Sequence, residues 1–380
     1  MTAVVPLHDD DPALLARLAS VRGAGDVPLV LDARRPPAQL RAAVATTTRA
    51  DLGGIGWVTL TSGSSGEPRV VLRTPESWEQ SFAAVADLLA AKSPGTESPG
   101  TDGPGDAVAL PAPASSSLTL FSLAHALGGG PRPLLGETAA ATSFHGTPEG
   151  LRHVLESGAA PRLRTALVGG SHLDRSLREQ AEAAGVRVTA YYGAAELSFV
   201  AVDRGDGLAP FPGVDVRVVD GELWVRSPYA ARGYAGAGGP LRRDGAWATV
   251  GDRAELVPGA GGARRIRLLG RADGAILSAS ATIVPAEVEA ALRSVPGVHD
   301  AVVFGLPAGR IGSLVAALIE PSGATLSLAA LRAAAAERLA PAHRPRRWYL
   351  GTLPRTVSGK PARAEAVRQV RDGEVRPLER

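Results

Sequence analysis

The run Val58-Thr59-Leu60-Thr61-Ser62-Gly63-Ser64-Ser65-Gly66-Glu67-Pro68-Arg69 constrains this chain more than any other stretch. A β-branched, apolar lead-in breaks into small hydroxyl residues and two glycines, the pattern of a strand handing over to a loop rich in free N–H and O–H donors. Glycine lets the backbone approach an anion closely, the hydroxyls add donors and Arg69 adds positive charge. The loop therefore suits phosphate oxygens, and a nucleoside triphosphate is its natural guest. Its spacing is neither the G-x-x-x-x-G-K-[ST] of a Walker loop nor the G-x-G-x-x-G of a dinucleotide turn. A serine- and glycine-rich run also serves as a plain surface linker, and taken alone this one leaves both readings open.

Around that loop the chain alternates between the two periodicities of secondary structure. Helical spacing at 12–21, 37–45 and 75–91 and again at 117–126, 150–156 and 174–184 is interleaved with strand patterns at 27–31, 107–110, 165–168 and 186–190. Such alternation predicts an α/β fold with sheets covered on both faces, whose ligands collect at the carboxyl ends of strands. After residue 210 short β segments predict an antiparallel subdomain. Beyond the turn at 270–274, helices at 286–294 and 326–339 and strands at 298–305 and 314–320 predict a small α+β unit. The expected architecture is a large amino-terminal domain of mixed α/β sheets plus β subdomain over 1–270, and a second domain over 271–380. The stretch 92–106, with its repeated Pro-Gly, reads as a structureless loop.

Composition removes several function classes. A chain of 380 residues, 45% hydrophobic and 21% charged, buries a large core. It contains no cysteine, so disulfides, thiolate metal sites and cysteine nucleophiles are out. A net charge of +3 without a basic, aromatic-interleaved run argues against nucleic acid. No apolar run of about 18 residues and no signal pattern is present, so neither a membrane span nor export is expected and the location expected is cytoplasmic. Lysine occurs twice only, at Lys92 and Lys360. In a chain that uses arginine almost everywhere, a retained lysine marks a place where arginine does not serve; Lys92 lies in the Pro/Gly loop and reads as solvated.

Three further segments carry chemistry. In Thr189-Ala190-Tyr191-Tyr192-Gly193-Ala194-Ala195-Glu196 a strand reaches two aromatics, a glycine and a carboxylate, which suits a flat base and Mg²⁺; a buried tyrosine pair with a helix-starting glutamate fits equally. Trp247 to Asp252 ends in Gly251-Asp252, which by itself is an ordinary turn that presents a carboxylate. Leu353-Pro354-Arg355-Thr356-Val357-Ser358-Gly359-Lys360 presents the rare lysine, a compact cation able to bridge a carboxylate and a phosphate as charge develops.

Taken together these segments resemble, in order and roughly in spacing, the motifs of the adenylate-forming superfamily of acyl-CoA synthetases, nonribosomal peptide adenylation domains and luciferases. The chain is closest in character to a short acyl- or aryl-CoA ligase with an abbreviated amino-terminal domain. The resemblance implies activation of a small carboxylic acid with ATP and Mg²⁺ to an acyl-adenylate, then transfer to CoA after rotation of a mobile carboxyl-terminal domain. It assigns Thr61, Ser62, Gly63, Ser64, Ser65, Gly66 and Arg69 to the phosphates, and Gly170, Tyr192 and Gly193 to the adenine side. Asp252 and Arg271 fall to the ribose, Glu196 to Mg²⁺, Asp273 to the hinge, and Lys360, with Glu196, to catalysis. The chain departs from the family at Arg69 for lysine, Ala195 for a hydroxyl and Ser280 for glycine. The stretch 111–118 lacks the aspartate that holds an α-amine, which argues against an amino acid; small residues there, with Phe121 and Phe199, fit a modest apolar or aryl acid, and o-succinylbenzoate–CoA ligases are candidates. A carrier-protein thiol or an amine as acceptor, or a degenerate nucleotide-binding protein, are the alternatives.

Overall fold

The computed structural model describes residues 2–62, 68–90, 106–171, 173–236, 238–259, 262–271, 276–278, 281–283, 285–307, 313–323, 326–339, 341–356 and 359–378. The loop residues Gly63, Ser64, Ser65 and Gly66, the stretch around Lys92, Asp273 and Ser280 lie outside these, as does the side chain of Arg271.

The phosphate-loop candidate springs from a five-stranded sheet. Val4–His8, Val27–Leu31 and Trp57–Ser62 run parallel, joined by the helices Leu14–Gly23 and Pro37–Thr48. Every residue of Val27–Leu31 is buried, as a strand covered on both faces requires. Trp57–Ser62 then pairs antiparallel with Pro68–Arg73, placing Arg69 opposite Thr61, and Gly233–Ala235 closes the edge. Arg69 is therefore not the tail of a loop but the second residue of a strand, held in register with the threonine that opens the run.

A second sheet of seven strands lies alongside. Five are parallel, in the order Arg132–Leu135, Ala107–Leu110, Ser143–Gly146, Thr165–Val168, Arg187–Ala194, and Ser198–Asp203 and Ala209–Pro210 extend it antiparallel. The strand expected to stop near 190 runs on through Tyr191, Tyr192 and Gly193 to Ala194, because Ser198–Asp203 folds back and continues its hydrogen bonding. The helix expected over 75–91 is two, Glu76–Glu79 and Phe82–Leu89, broken where the Ser81 hydroxyl donates to the Trp78 carbonyl at 2.7 Å. One large apolar core joins the two sheets and reaches the antiparallel subdomain, with Trp57, Trp78, Phe121, Phe199 and Phe211 among its members and Ile266 its last buried residue.

The antiparallel subdomain is built on Glu222–Arg226, Trp247–Thr249, Asp252–Pro258 and Arg264–Arg271. From Ile276 onward the apolar side chains form separate clusters, around the three-stranded sheet Val298–Pro307, Ser313–Pro321, Arg347–Leu350 and the helices Pro285–Arg293, Leu328–Arg338 and Arg363–Arg371. Among the described residues no helix is long and apolar enough to cross a membrane.

Candidate active site

A cavity of about 910 Å³ opens where the carboxyl ends of the parallel strands meet the carboxyl-terminal segment. Its walls gather Thr61, Arg69, Gly170, Tyr192, Gly193, Glu196, Asp252 and Lys360, residues spread over three hundred positions of sequence. At one end, Thr61 carries a hydroxyl buried without a hydrogen-bond partner. Asp32, 2% exposed, follows the strand neighbouring Thr61; its Oδ1 accepts from the Arg34 Nε at 2.8 Å while its Oδ2 has no partner. Orphaned buried polar atoms are costly, so a place that leaves them beside a cavity is a place for a polar ligand.

The segment 191–196 is fixed by three unusual contacts. Gly193 sits so close to its hairpin partner that an added Cβ would lie 2.1 Å from the Ser198 carbonyl oxygen, so only glycine fits there. The Tyr192 hydroxyl donates to Asp252 Oδ2, tying the adenine-side tyrosine to the ribose-side aspartate. Arg73, 0% exposed, donates from Nε and Nη2 to the Ala195 carbonyl at 3.0 and 2.7 Å, and from Nη1 to the Tyr229 carbonyl at 2.8 Å and the Ser77 hydroxyl at 3.1 Å. Burial lowers the Arg73 pKa to about 9, against the pull of the nearby Glu196 carboxylate. The turn after Ala194 thus rests on a buried guanidinium, and Glu196, which follows it, is 7% exposed and accepts a 2.8 Å hydrogen bond from the Tyr234 hydroxyl. Glu196 lies in a turn between two strands and starts no helix.

Lys360 reaches this cluster from a tight turn. Its carbonyl accepts from Thr356 N at 2.7 Å and its own amide donates to Thr356 Oγ1 at 3.2 Å, with Gly359 supplying the left-handed φ of +80° that the reversal needs. Arg355, at the base of the turn, is clamped by Glu320 at 2.5 Å and Asp300 at 3.4 Å. The lysine passes over Gly170, where a Cβ would lie 2.8 Å from Lys360 Cε. Desolvation pushes the ammonium pKa down, while Glu196 and Asp252 pull it up. Lys360 is nonetheless an exposed residue on the cavity wall. Across the same seam Glu149 lies 3.7 Å from His299, which raises the pKa of the histidine and lowers that of the glutamate.

Of the residues singled out in the sequence, eight converge: Thr61, Arg69, Gly170, Tyr192, Gly193, Glu196, Asp252 and Lys360 line one cavity, while the side chain of Ser62 lies outside the described residues. Arg271 pairs through its backbone with Asp252 across neighbouring strands. Among the described residues no group of three His, Asp or Glu side chains could hold a metal ion alone. Glu196 could contribute one carboxylate to Mg²⁺, the remaining ligands coming from phosphate oxygens and water. Sequence reasoning missed Arg73, Asp32, Tyr234 and a buried polar chain behind Tyr191. In that chain His145 lies 2.7 Å from the Ser122 hydroxyl through Nδ1 and 3.1 Å from the Tyr191 hydroxyl through Nε2.

The family model described as AMP-binding enzyme matches residues 9–235, and that described as AMP-binding enzyme C-terminal domain matches 287–360. The 2-succinylbenzoate–CoA ligase of Salmonella typhimurium is 30% identical over 270 residues, 69% of this chain and 57% of that protein. A probable 2-succinylbenzoate–CoA ligase of Mycobacterium tuberculosis is 36% identical over 219 residues, 56% of each chain. This chain thus spans little more than half the length of these curated relatives. The solved o-succinylbenzoate CoA synthetase (MenE) of Bacillus subtilis in complex with OSB-AMP superposes with a TM-score of 0.79 at 19% identity, covering 100% of this chain and 89% of that one, which establishes the shared fold.

Proposed function

This chain belongs to the family of AMP-binding enzymes, and from that premise we propose that it activates a small carboxylic acid with ATP, releasing pyrophosphate, and passes the acyl group to the thiol of CoA. The observation that carries this reading is the position of Lys360, the cation that lies over Gly170 among the charges of Glu196 and Asp252 in the shared cavity.

In the first step a carboxylate oxygen of the acid attacks the α-phosphorus and the bond to the bridging oxygen of pyrophosphate breaks. Thr61 and Arg69 hold the outgoing phosphates, the former by the hydroxyl that otherwise lacks a partner. Lys360 stands against the charge that builds on the α-phosphoryl oxygens, an interaction that strengthens toward the transition state and so lowers the barrier. Tyr192 and Asp252, bonded to each other, present an aromatic edge and a carboxylate to the nucleoside. Mg²⁺ held through Glu196 supplies neutralisation of the phosphate oxygens. Tyr234 and Arg73 keep that carboxylate in place, the former directly and the latter through the Ala195 carbonyl. In the second step the thiol sulfur attacks the acyl carbonyl, AMP leaves and the thiol proton goes to solvent.

The relatives matched are 2-succinylbenzoate–CoA ligases, which supports an aryl-containing acid and CoA as the acceptor. Competition between CoA, a phosphopantetheine-loaded carrier protein and simple amines, with AMP release followed for each, tests the acceptor. CoA should dominate; preferential release with a carrier protein or an amine would overturn that half of the reading.

A further inference from the structure

The acid end of the cavity is boxed by aromatic rings. Phe121 and Phe199 meet at 5.0 Å between centroids, Phe199 and Tyr191 at 4.7 Å, and His145 and Tyr191 at 5.5 Å, with Trp78 edge-on to Phe121 at 5.6 Å. Of these, Tyr191 alone keeps partial solvent access; the rest are buried. Its ring is pressed on Gly169, where a Cβ would lie 2.2 Å from the Tyr191 Cζ, so its position is set by the absence of a side chain there.

Behind the Tyr191 hydroxyl stands the chain of His145 and Ser122, and its proton positions are interchangeable. With the imidazole proton on Nδ1, Ser122 accepts it, Nε2 accepts from Tyr191, and the phenolic oxygen is free to accept from a ligand. With the proton on Nε2, that nitrogen donates to the phenolic oxygen, and Tyr191 turns its own proton toward the cavity. Tyr191 can thus answer either a hydroxyl or a carbonyl. Neither arrangement carries positive charge: burial depresses the His145 pKa to about 3, with His125 adding to the effect.

All but one of the cations lining the cavity are committed elsewhere. Arg73 lies over Trp78 but spends its N–H groups on Ala195, Tyr229 and Ser77. Arg178, Arg293 and Arg363 line the cavity paired with Asp203, Asp300 and Glu289. Arg69 and Lys360 belong to the phosphate end; Arg35, four residues past the end of Val27–Leu31 in the other sheet, lines the cavity and is the cation outside the rings that a second carboxylate would have to reach. A carboxylate brought into a box of neutral rings loses water without gaining a counter-charge, which is strongly unfavourable.

We propose that this site takes a monocarboxylic acid whose far end is aromatic and bears a neutral carbonyl or hydroxyl read by Tyr191, and that it disfavours a second carboxylate there. This rests on the adenylation reading above and narrows its substrate class away from the doubly charged acid named for the relatives.

Three acids isolate the two claims: 4-phenylbutanoate, 4-oxo-4-phenylbutanoate, which adds the carbonyl, and 2-succinylbenzoate, which adds a ring carboxylate. Acid-dependent ATP–pyrophosphate exchange should favour the keto acid over 4-phenylbutanoate by about tenfold, the discrimination one neutral hydrogen bond provides, and over 2-succinylbenzoate as well. Tyr191→Phe should bring the keto-to-deoxy ratio close to one, and Ser122→Ala, which leaves Tyr191 in place, should reduce it in part. The ratio between two acids is insensitive to a general loss of folded enzyme. Calorimetric titration of the same acids in the presence of AMP reads the same preference without turnover. Absent exchange with the binding preference intact would sink the adenylation reading and sustain this one. An unchanged ratio in Tyr191→Phe, or 2-succinylbenzoate as the preferred acid, would overturn it, the latter pointing to Arg35 as a counter-ion.

Discussion

Replacing Arg73 with methionine separates the buried guanidinium from everything it holds. The substitution roughly preserves the apolar stem and removes a cation whose pKa burial has lowered to about 9, so some desolvation cost is recovered. Against that, the Tyr229 carbonyl loses its donor in a buried setting and the Ala195 carbonyl in a partly buried one. Each orphaned acceptor costs about 1–3 kcal/mol, and with the recovered desolvation the net loss should be about 3 kcal/mol. For an amino-terminal unit of this size that corresponds to a fall in Tm of about 5 °C. The functional effect should exceed the stability effect, because the Ala195 carbonyl precedes Glu196 and a small displacement of a metal-binding carboxylate costs on the order of tenfold to a hundredfold in rate. The assay is differential scanning fluorimetry together with pyrophosphate exchange titrated with Mg²⁺. The variant should melt lower and need more Mg²⁺ for half-maximal exchange, and Arg73→Lys, which keeps the charge but loses the planar fork, should fall between. A methionine variant with wild-type Tm and an unshifted Mg²⁺ requirement would refute the claim that this arginine organises the turn.

Other expectations are independent of that one. His125 and His145 are buried neutral, with pKa values lowered to about 4 and about 3 by desolvation, so the unfolded chain binds more protons than the folded one below pH 6.5. Stability should therefore be fully present above pH 6.5 and fall as pH drops toward 4, by up to about 1.4 kcal/mol per pH unit for each histidine; Tm against pH for His125→Asn should show a shallower slope. His299 behaves oppositely: Glu149 raises its pKa above 6.5, so the contact across the seam is strongest below that value and is lost as pH rises through the raised pKa. Small-angle scattering should register a more open chain at high pH, and His299→Gln should abolish the dependence. Gly193→Ala should lower stability by about 2–3 kcal/mol, since the new Cβ meets backbone that cannot move aside; a wild-type Tm would contradict the hairpin geometry.

Much of the site was legible because its chemistry is written in contiguous runs. Thr61, the Tyr192–Glu196 segment and Lys360 each sit in a stretch that is ambiguous alone, but the three occur in one chain in a recognisable order, and the scarcity of lysine marked Lys360 further. The alternation of helix and strand likewise announced the parallel sheets, since fully buried strands such as Val27–Leu31 must be continuous apolar runs. What stayed hidden depends on partners remote in sequence. Arg73 ends an apolar strand and reads as a surface boundary, yet its acceptor at Ala195 is 122 residues away. His145 lies in the four-residue strand Ser143–Gly146, and its partners Ser122 and Tyr191 are 23 and 46 residues distant. The extension of Arg187–Ala194 beyond residue 190 was hidden for a related reason: Gly193 looks like a turn locally, whereas the approach of Ser198 makes it a strand residue.

The central claim, that this cavity transfers an adenylyl group with Lys360 at the reacting phosphate, is tested most directly by acid-dependent exchange of labelled pyrophosphate into ATP, comparing wild type with Lys360→Ala. Loss of a donor aimed at developing charge should reduce exchange by about a hundredfold to a thousandfold. ATP binding, followed by calorimetry, should change far less. Equal exchange in the two proteins, or a Lys360→Ala variant whose loss is accounted for by weakened ATP binding alone, would contradict the assignment.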